Sequence, residues 1–393
     1  MDKEVHVNPL SFKGQGREFF GIWIVNILLS IVTLGIYSAW AKVRTKRYFY
    51  GNTFVAGDSF EYHATPMQIL RGRLIAVGLM IILLIGNMLF PVLSGLLMLL
   101  FYIALPWLLW SSVRFNAAMT SYRNVRFAFT ASLKDAYKVM LGRGFIALLV
   151  MLGFMILMIL TLDFMAGAFI PLAIVALVGS PALYAWVLAG VYRYFANGYC
   201  YGDWRASAQI ENGFFVRTFY KAAVLGGIVA LVGVTFAYLP MFNTTGHPIV
   251  TVASTYLGTL TVMIILTAYV KVRTRNFIFS RLVVEQLDNQ ESHPSSCDAQ
   301  TQDTESKSNQ FGLGSSFTVS SYCKLVVTNF LLQLFTLGIA RPWVMVRTAR
   351  YSAENTTVMG DMSLLVASDI NTQPKSAVTD EVSQALNVDF GLG

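Results

Sequence analysis

The stretch that decides the fold is Leu74–Val113, which reads LIAVGLMIILLIGNMLFPVLSGLLMLLFYIALPWLLWSSV and contains no charged residue. Two further stretches, Gly144–Tyr192 and Ala222–Val270, contain no Lys, Arg or Glu and only one carboxylate, Asp163. A helix that crosses a bilayer needs about 20 apolar residues, so each stretch is long enough for two helices joined by a turn. The sequence therefore predicts six membrane spans, at approximately 74–90, 93–113, 144–162, 170–192, 222–238 and 250–270.

The composition and the distribution of charge support a membrane location. The 393 residues are 55% hydrophobic and 13% charged, with a mean hydropathy of +0.57, which no soluble core of this size requires. All 29 Lys and Arg residues lie outside the three stretches. Because basic residues concentrate in cytoplasmic loops, we expect a multi-pass protein whose basic loops and both termini are cytoplasmic. The net charge of +8 then faces anionic lipid headgroups, and nucleic acid is not an expected partner because no soluble basic domain could bind it.

Two shorter apolar stretches, Phe19–Trp40 and Leu325–Ala340, fit this topology less easily. The second would extend only about 24 Å as a helix, against about 30 Å of hydrocarbon. Both have basic residues on both sides, so we interpret them as re-entrant or interfacial segments that return to the cytoplasmic face. The alternative is eight spans with both termini outside, because snorkelling side chains and bilayer thinning can accommodate a short helix.

These two stretches are also copies of each other. Asn26–Ile36 matches Asn329–Ile339, and the same register continues without a gap to Asp58 and Asp361. Weaker echoes of the same pattern lie between the two copies. The pattern predicts an all-α polytopic membrane protein, a helical-hairpin bundle with internal repeats in which two terminal half-units flank three full hairpins.

Short strand patterns follow the basic helices. In Asn52–Tyr62, residues that favour strands flank a turn at Gly57-Asp58, and Val125–Thr130 alternates between two faces. Asp203–Ile210 and Ser316–Ser320 are candidates for the equivalent segments of other units. We expect small cytoplasmic β-hairpins, and pairing between units would protect their edges.

This reading divides the chain into five parts. They are an N-terminal half-unit (1–62), three transmembrane helical hairpins (63–284), a disordered cytoplasmic linker rich in Ser, Gln and acidic residues (285–315), a C-terminal half-unit that repeats 13–58 (316–361), and a polar cytoplasmic tail (362–393).

Several motifs resemble those of a known family. They are SFKGQGR at Ser11–Arg17, VNILL at Val25–Leu29, TLGIY at Thr33–Tyr37, Trp40, and KRY at Lys46–Tyr48. In these motifs the chain resembles the YjgN-type proteins of the bacterial inner membrane, a family of uncharacterised function, over essentially its whole length. The resemblance implies a location in the bacterial cell inner membrane, and it supplies no substrate, cofactor or catalytic residue.

A cluster of aromatic and basic residues appears in each terminal half-unit. The first contains Trp40, Arg44 and Arg47, and the second contains Trp343, Arg347 and Arg350. Each places a Trp at the membrane edge and Arg residues four and seven positions later on one helical face. An Arg guanidinium matches a phosphate with two parallel hydrogen bonds, so the two clusters could together bind an anion or a lipid headgroup. The alternative is an ordinary aromatic belt with charges that set the topology.

The repeated apolar stretches contain a second set of candidates. Gly35 and Gly338 could allow close helix packing or break the helix, and broken helices often carry ligand sites in transporters. Asn26 and Asn329 could hydrogen-bond between helices or line a pathway. Transport predicts that these four residues line a hydrated cavity, whereas a scaffold predicts that they lie within helix contacts.

The sequence shows no carrier for enzymatic chemistry. No HExxH, GxxxxGK[ST] or GxSxG motif occurs, and Cys200, Cys297 and Cys323 have no metal-binding spacing. Asp163 lies close to a predicted turn, where a proton relay is not expected. We therefore predict no enzyme activity, no metal and no cofactor. The function expected is passive transport or a channel for a small or anionic solute, and the alternative is a lipid-binding or membrane-organising scaffold.

Overall fold

The chain is built from five consecutive units, which we number I to V. The computed structural model describes residues 6–89, 91–164, 166–242, 248–286 and 310–365. Within these ranges each unit runs strand, helix, helix, strand. A further short strand, β1 (Val7–Pro9), precedes unit I and is separated from it by Leu10.

The elements of the five units are as follows. Unit I contains β2 (Ser11–Phe12), α1 (Gly16–Val32), α2 (Ser38–Gly51) and β3 (Thr53–Val55). Unit II contains β4 (Asp58–Tyr62), α3 (Pro66–Leu89), α4 (Pro91–Ala118) and β5 (Thr120–Tyr122). Unit III contains β6 (Val125–Phe129), α5 (Leu133–Tyr137), which continues through a π-helical turn (Lys138–Gly142) into α6 (Arg143–Phe164), then α7 (Ala166–Ala196) and β7 (Tyr199–Tyr201). Unit IV contains β8 (Trp204–Ala208), α8 (Asn212–Phe242), α9 (Pro248–Arg281) and β9 (Leu282–Gln286). Unit V contains β10 (Gln310–Ser315), α10 (Val319–Phe335), α11 (Arg341–Glu354) and β11 (Thr356–Met359).

The ten strands of the five units and β1 together form one antiparallel sheet of 11 strands. Its order is β1-β11-β10-β9-β8-β7-β6-β5-β4-β3-β2, so its two edge strands are consecutive in the chain. Val7 pairs with Met359 at one end, and Phe12 pairs with Thr53 at the other. The Leu10 amide between them donates to the Thr356 carbonyl oxygen at 3.0 Å. The N-terminal segment thus closes the sheet into a near-barrel, which we call the ring.

Tight turns connect units I to II, II to III and III to IV. Between β3 and β4, Ala56 and Gly57 have φ values of 48° and 92°; between β5 and β6, Arg123 and Asn124 have values of 46° and 64°. Two consecutive residues with positive φ are typical of the type I′ turn, whose twist matches that of paired strands. These local hairpins explain why the strands that join neighbouring units were visible in the sequence.

The centre of the ring is filled by side chains. Val55, Tyr122, Tyr201, Trp204 and Phe311 are buried in one cluster, joined by side chains from the remaining strands from β4 to β11 and from Leu10. Trp204 is fully buried, and its ring lies 5.0 Å from that of Phe311 in an edge-on contact. We call this group the lumen cluster. It makes the ring a packed core.

Four other clusters hold neighbouring units together where the helices leave the ring. Within the described ranges, α2 packs on α3, α4 on α5, α7 on α8, α9 on α10, and α11 on α1. Phe19, for example, is fully buried among residues of α2 and α11. The helices therefore follow the same circular order as the strands, and unit V is the neighbour of unit I.

Beyond these joints the long helices expose apolar side chains. Four described helical segments are long and apolar enough to cross a membrane: Pro66–Gly86, Gly95–Ala118, Leu133–Thr161 and Gly167–Ala196. They overlap the first four predicted spans, and the last two fall in α8 and α9, which are helical at both positions. Exposed apolar surface on helices of this length is typical of membrane-spanning segments.

The expectation of an all-α fold with small β-hairpins was wrong. The strands form one 11-stranded sheet that joins all five units. Each strand has only two to six residues, so the sequence indicated the hairpins and the pairing between units that would protect their edges, but not one sheet that includes every strand. The strand considered at Ser316–Ser320 is also misplaced, since the strand there, β10, ends at Ser315 and α10 begins at Val319.

The predicted linker and tail lie largely outside the described residues. Residues 287–309 and 366–393 are not described, whereas the two ends of the predicted linker belong to β9 and β10. The described start of the tail contributes Met362 and Leu365 to the lumen cluster.

Candidate functional site

The short helical hairpins of units I and V carry all the site residues that the sequence singled out. In each, the first helix has 17 residues and the second has 14. Strands β2 and β3, at the base of the first hairpin, pair with each other, and so do β10 and β11 at the base of the second. Each chain segment therefore leaves the ring and returns to it.

Gly35 and Gly338 lie in the turns at the tips of these hairpins. Their φ values are +92° and +85°, and a Cβ at either position would meet no atom of the described residues within 4 Å. The preceding residues, Leu34 and Leu337, also have positive φ, at 51° and 50°. The two glycines thus break the helix, and the alternative of close helix packing finds no neighbour there.

The same side-chain bonds fix both turns. Thr33 Oγ1 donates to the Leu29 carbonyl at 2.7 Å and accepts from the Tyr37 amide at 2.9 Å. Thr336 Oγ1 donates to the Leu332 carbonyl at 2.7 Å and accepts from the Ala340 amide at 3.1 Å. The tip side chains face outward, with Leu34 94% exposed and Leu337 91% exposed.

Asn26 and Asn329 lie inside their own hairpins, only 4% and 7% exposed. Asn26 Oδ1 accepts a hydrogen bond from Arg44 Nη1 at 3.5 Å, and Asn329 Nδ2 donates to Thr348 Oγ1 at 3.2 Å. Within the described residues, Asn26 Nδ2 and Asn329 Oδ1 have no hydrogen-bond partner. Each Asn therefore joins the two helices of its hairpin, as a helix contact requires.

The four arginines divide into two pairs according to their hydrogen-bond partners. Arg47 donates to the carbonyl oxygens of Tyr62 and Ala64 in unit II at 3.3 and 3.4 Å. Arg350 donates to the Gly14 carbonyl of unit I at 3.0 Å. In both cases the acceptor lies where a strand of the next unit leads into its helix. Arg47 and Arg350 are therefore fastened to backbone at the joints.

A third arginine makes the same kind of contact, which the sequence analysis missed. Arg193 of unit III donates to the Ile210 carbonyl oxygen of unit IV and to Asn212 Oδ1. The signal was present, because Arg193 follows Trp186 by the same seven residues that separate Trp40 from Arg47.

Arg44 and Arg347 form the second pair and are exposed. Arg44 Nη1 contacts Tyr37 Oη at 3.1 Å in addition to Asn26, and Arg347 Nη2 contacts Thr328 Oγ1 at 3.1 Å. Within the described part of the chain, each guanidinium uses one nitrogen and bonds only inside its own hairpin. A guanidinium has five N–H donors, so both residues keep donors for an anion.

The two tryptophans lie at the joints. Trp343 of unit V covers Gly16 so closely that a Cβ there would clash, and its ring lies 5.1 Å from that of Phe20. Trp40 stacks on Tyr37 at 6.1 Å and packs against the cluster between units I and II. Both rings thus serve as contacts between helices.

The lumen cluster contains two linked tyrosines. Tyr201 Oη donates to the Tyr122 carbonyl at 2.8 Å, and Tyr122 Oη donates to the Val55 carbonyl at 2.9 Å. Burial raises the pKa of Tyr201 to about 12 and also raises the pKa of Tyr122. Both therefore stay neutral at physiological pH.

Other cavities and clusters offer little chemistry. An apolar groove of about 240 Å³ lies between α6 and α7, lined by Met151, Phe154, Met155, Met158, Ile159, Phe169 and Ala176. Among the described residues, no group of three or more His, Cys, Asp or Glu side chains could hold a metal ion.

Comparison with known proteins gives the family. Residues 7–304 and 299–385 match the family described as bacterial protein of unknown function (DUF898). This chain belongs to that family. It is 26% identical over 390 residues to the inner membrane protein YjgN of Salmonella typhimurium, covering 92% of this chain and 91% of the relative. It is 36% identical over 134 residues to the inner membrane protein YjgN of Escherichia coli K12, covering 34% of each chain.

The comparisons confirm the resemblance seen in the sequence motifs. The curated relatives are inner membrane proteins, in agreement with the long apolar helices. No solved structure matches.

Proposed function

We propose that this protein is a lipid-binding scaffold of the bacterial inner membrane, with its ring on the cytoplasmic face. In this proposal the long hairpins of units II to IV cross the bilayer. The short hairpins of units I and V enter it from the cytoplasmic side and return. The placement of all basic residues outside the long apolar stretches supports this orientation.

The observation that carries the proposal is the matched pair Arg44 and Arg347. Each is exposed, lies on the second helix of its hairpin, and uses only one guanidinium nitrogen in hydrogen bonds to the described residues. Each lies below an exposed apolar tip that needs lipid. A phospholipid with an anionic headgroup satisfies both requirements, because its phosphate can reach the guanidinium while its chains cover the tip.

Passive transport is less well supported by the same geometry. A solute that crossed along the ring axis would have to displace Trp204, Phe311 and the rest of the lumen cluster, which are packed as a core. Asn26 and Asn329 lie in helix contacts, and Gly35 and Gly338 lie at exposed tips. The two Asn residues thus lie where a scaffold predicts them, whereas the exposed glycines lie neither in a cavity nor in a helix contact.

Native mass spectrometry of the purified full chain tests the proposal. We expect anionic phospholipid to copurify with the wild type and to be largely lost from an Arg44→Gln/Arg347→Gln variant. The control is Arg205→Gln/Lys134→Gln, which removes the same charge from exposed positions on β8 and α5 and should retain the lipid. The proposal fails if both variants keep the wild-type lipid profile, or if the protein reconstituted in vesicles conducts small anions.

A further inference from the structure

The hairpins of units I and V are too short to cross a bilayer. The first helices, at 17 residues, extend about 25 Å, and the long helices of units II to IV have 22 to 34 residues. Leu34 lies eight residues beyond Asn26, so the tip rises about 12 Å above the level at which Arg44 meets Asn26. That height is less than half of the roughly 30 Å hydrocarbon core.

Each short hairpin has an apolar tip above a basic collar. The exposed apolar side chains of the two tips are Leu28, Leu29, Ile31, Val32, Leu34, Ile36, Phe330, Leu331, Leu334, Phe335, Leu337 and Ile339. Arg44 and Arg347 follow directly below, and Arg341 lies only three residues from Gly338. A guanidinium so close to the tip must reach the headgroups, which limits the depth of insertion. This distribution is typical of elements that insert about 5–10 Å at the boundary of headgroups and chains.

The two short hairpins lie side by side. Helix α1 packs on α11, and Trp343 of unit V contacts Gly16 and Phe20 of unit I. Their tips therefore enter the same leaflet at neighbouring positions. The described residues form ten helices when α5 and α6 are counted as one. In the proposed orientation all ten would lie in the leaflet next to the ring, whereas only the six long helices would continue into the other leaflet.

We propose that the two short hairpins act as one wedge in the leaflet next to the ring, so that the protein favours membrane that bulges toward the ring. Area added to one leaflet expands it relative to the other, and the bilayer relieves the difference by curving. The occupants of the apolar tips are the acyl chains of that leaflet, whose anionic headgroups complement the basic collar. The wedge does not depend on whether Arg44 and Arg347 hold one lipid specifically.

The test uses the fluorescently labelled full chain in vesicles of different diameters, counting molecules whose ring faces outward. We expect a higher protein density on small vesicles than on large ones. In a Leu34→Asp/Leu337→Asp variant this preference should fall about twofold or more, because the tips no longer insert. Asp tolerates positive φ better than Leu, so both turns should still form. The control, Leu34→Met/Leu337→Met, keeps the tips apolar and should keep the preference.

Three outcomes would overturn the wedge. One is an equal density of wild-type protein on vesicles of all sizes. Another is an Asp variant that folds, as judged by its thermal unfolding, and sorts like the wild type. The third is a stable dimer that depends on Leu34 and Leu337, which would assign the tips to a contact between two copies. The scaffold is tested by the lipid that copurifies with the Arg44→Gln/Arg347→Gln variant, and the wedge is tested by the density of the Leu34 and Leu337 variants on vesicles. Because the two tests use different variants and different measurements, failure of the wedge and failure of the scaffold can be told apart.

Discussion

The guanidinium of Arg350 donates a hydrogen bond to the carbonyl oxygen of Gly14 across 3.0 Å, although 336 residues separate the two along the chain. The contact joins unit V to unit I and repeats the contacts of Arg47 and Arg193 at two other joints. The basic residues of this protein thus include a set whose partners are backbone carbonyls of the neighbouring unit.

We expect Arg350→Gln to lower the free energy of unfolding by about 1–2 kcal/mol, because a charged donor to a partly buried carbonyl is lost. Thermal unfolding in detergent, followed by tryptophan fluorescence, measures the change. The matched control is Arg347→Gln, whose guanidinium bonds, among the described residues, only to a Thr hydroxyl of its own hairpin. Equal shifts in the two variants would contradict a special role for the joint.

Replacement of Trp204 tests whether the ring is a packed core. Trp204→Ala should cost about 3–5 kcal/mol of stability, because it leaves a cavity beside Phe311 in the lumen cluster. Arg205→Ala, on the opposite and exposed face of the same strand, should change stability by less than about 1 kcal/mol. Similar unfolding temperatures for the two variants would show that the lumen cluster contributes little.

Substitution of the turn glycines should lower the stability of the protein through backbone conformation alone. Gly35→Val should destabilise the protein by about 1–2 kcal/mol, because φ is +92° and an L-residue is strained there even though space is available. Gly21→Val is the control: Gly21 lies in α1, also with no atom near its Cβ position, but without positive φ. If chemical denaturation shows the same loss for both, crowding by lipid or protein must be responsible.

The folded ring should lose stability at alkaline pH. The folded chain holds the Tyr201 proton up to about pH 12, whereas an unfolded chain releases it near the ordinary value of 10.0. The unfolded state therefore binds fewer protons between these values, and stability should fall as pH rises from about 10 to about 12. The unfolding temperature across this range, together with the absorbance of tyrosinate, measures the effect. Tyr201→Phe should reduce the pH dependence, and an unchanged profile would assign it to other groups.

Labelling of a single introduced cysteine can determine which side of the membrane the ring faces. In a background with Cys200, Cys297 and Cys323 replaced by Ser, Arg205→Cys places one thiol on the exposed face of β8. A maleimide that cannot cross membranes should label it only after cells are opened. Labelling of intact cells would place the ring on the outer face and reverse the proposed topology.

Much of the local structure could be predicted from the sequence. The two terminal copies match at a constant offset, so the sequence indicated that Thr33 and Thr336, like Gly35 and Gly338, would occupy equivalent positions in their turns. They do so with matching bonds and dihedral angles. The strands around Gly57 were also predictable, because a tight turn leaves its signature within a few residues.

The closure of the sheet could not be predicted in the same way. β4 pairs with β5, and β6 with β7, across an entire helical hairpin, and β1 pairs with β11 across nearly the whole described chain. Nothing in a segment as short as Val7–Pro9 indicates a partner so distant, and a Pro in a strand argues against pairing. The roles of Arg47 and Arg350 were hidden for the same reason, since their acceptors are backbone carbonyls with no sequence signature.

The pairing of β1 with β11 also sets an order of events during biogenesis. Strand β1 is synthesised before the five units, yet its partner β11 is the last strand of unit V, so this pair can form only after all five units have been made. In the proposed topology, a nascent chain that stalls before unit V would present unpaired strand edges to the cytoplasm, where chaperones and proteases engage such edges. Closure of the ring would then be a checkpoint, because it requires that every preceding unit has its strands on the same side of the membrane.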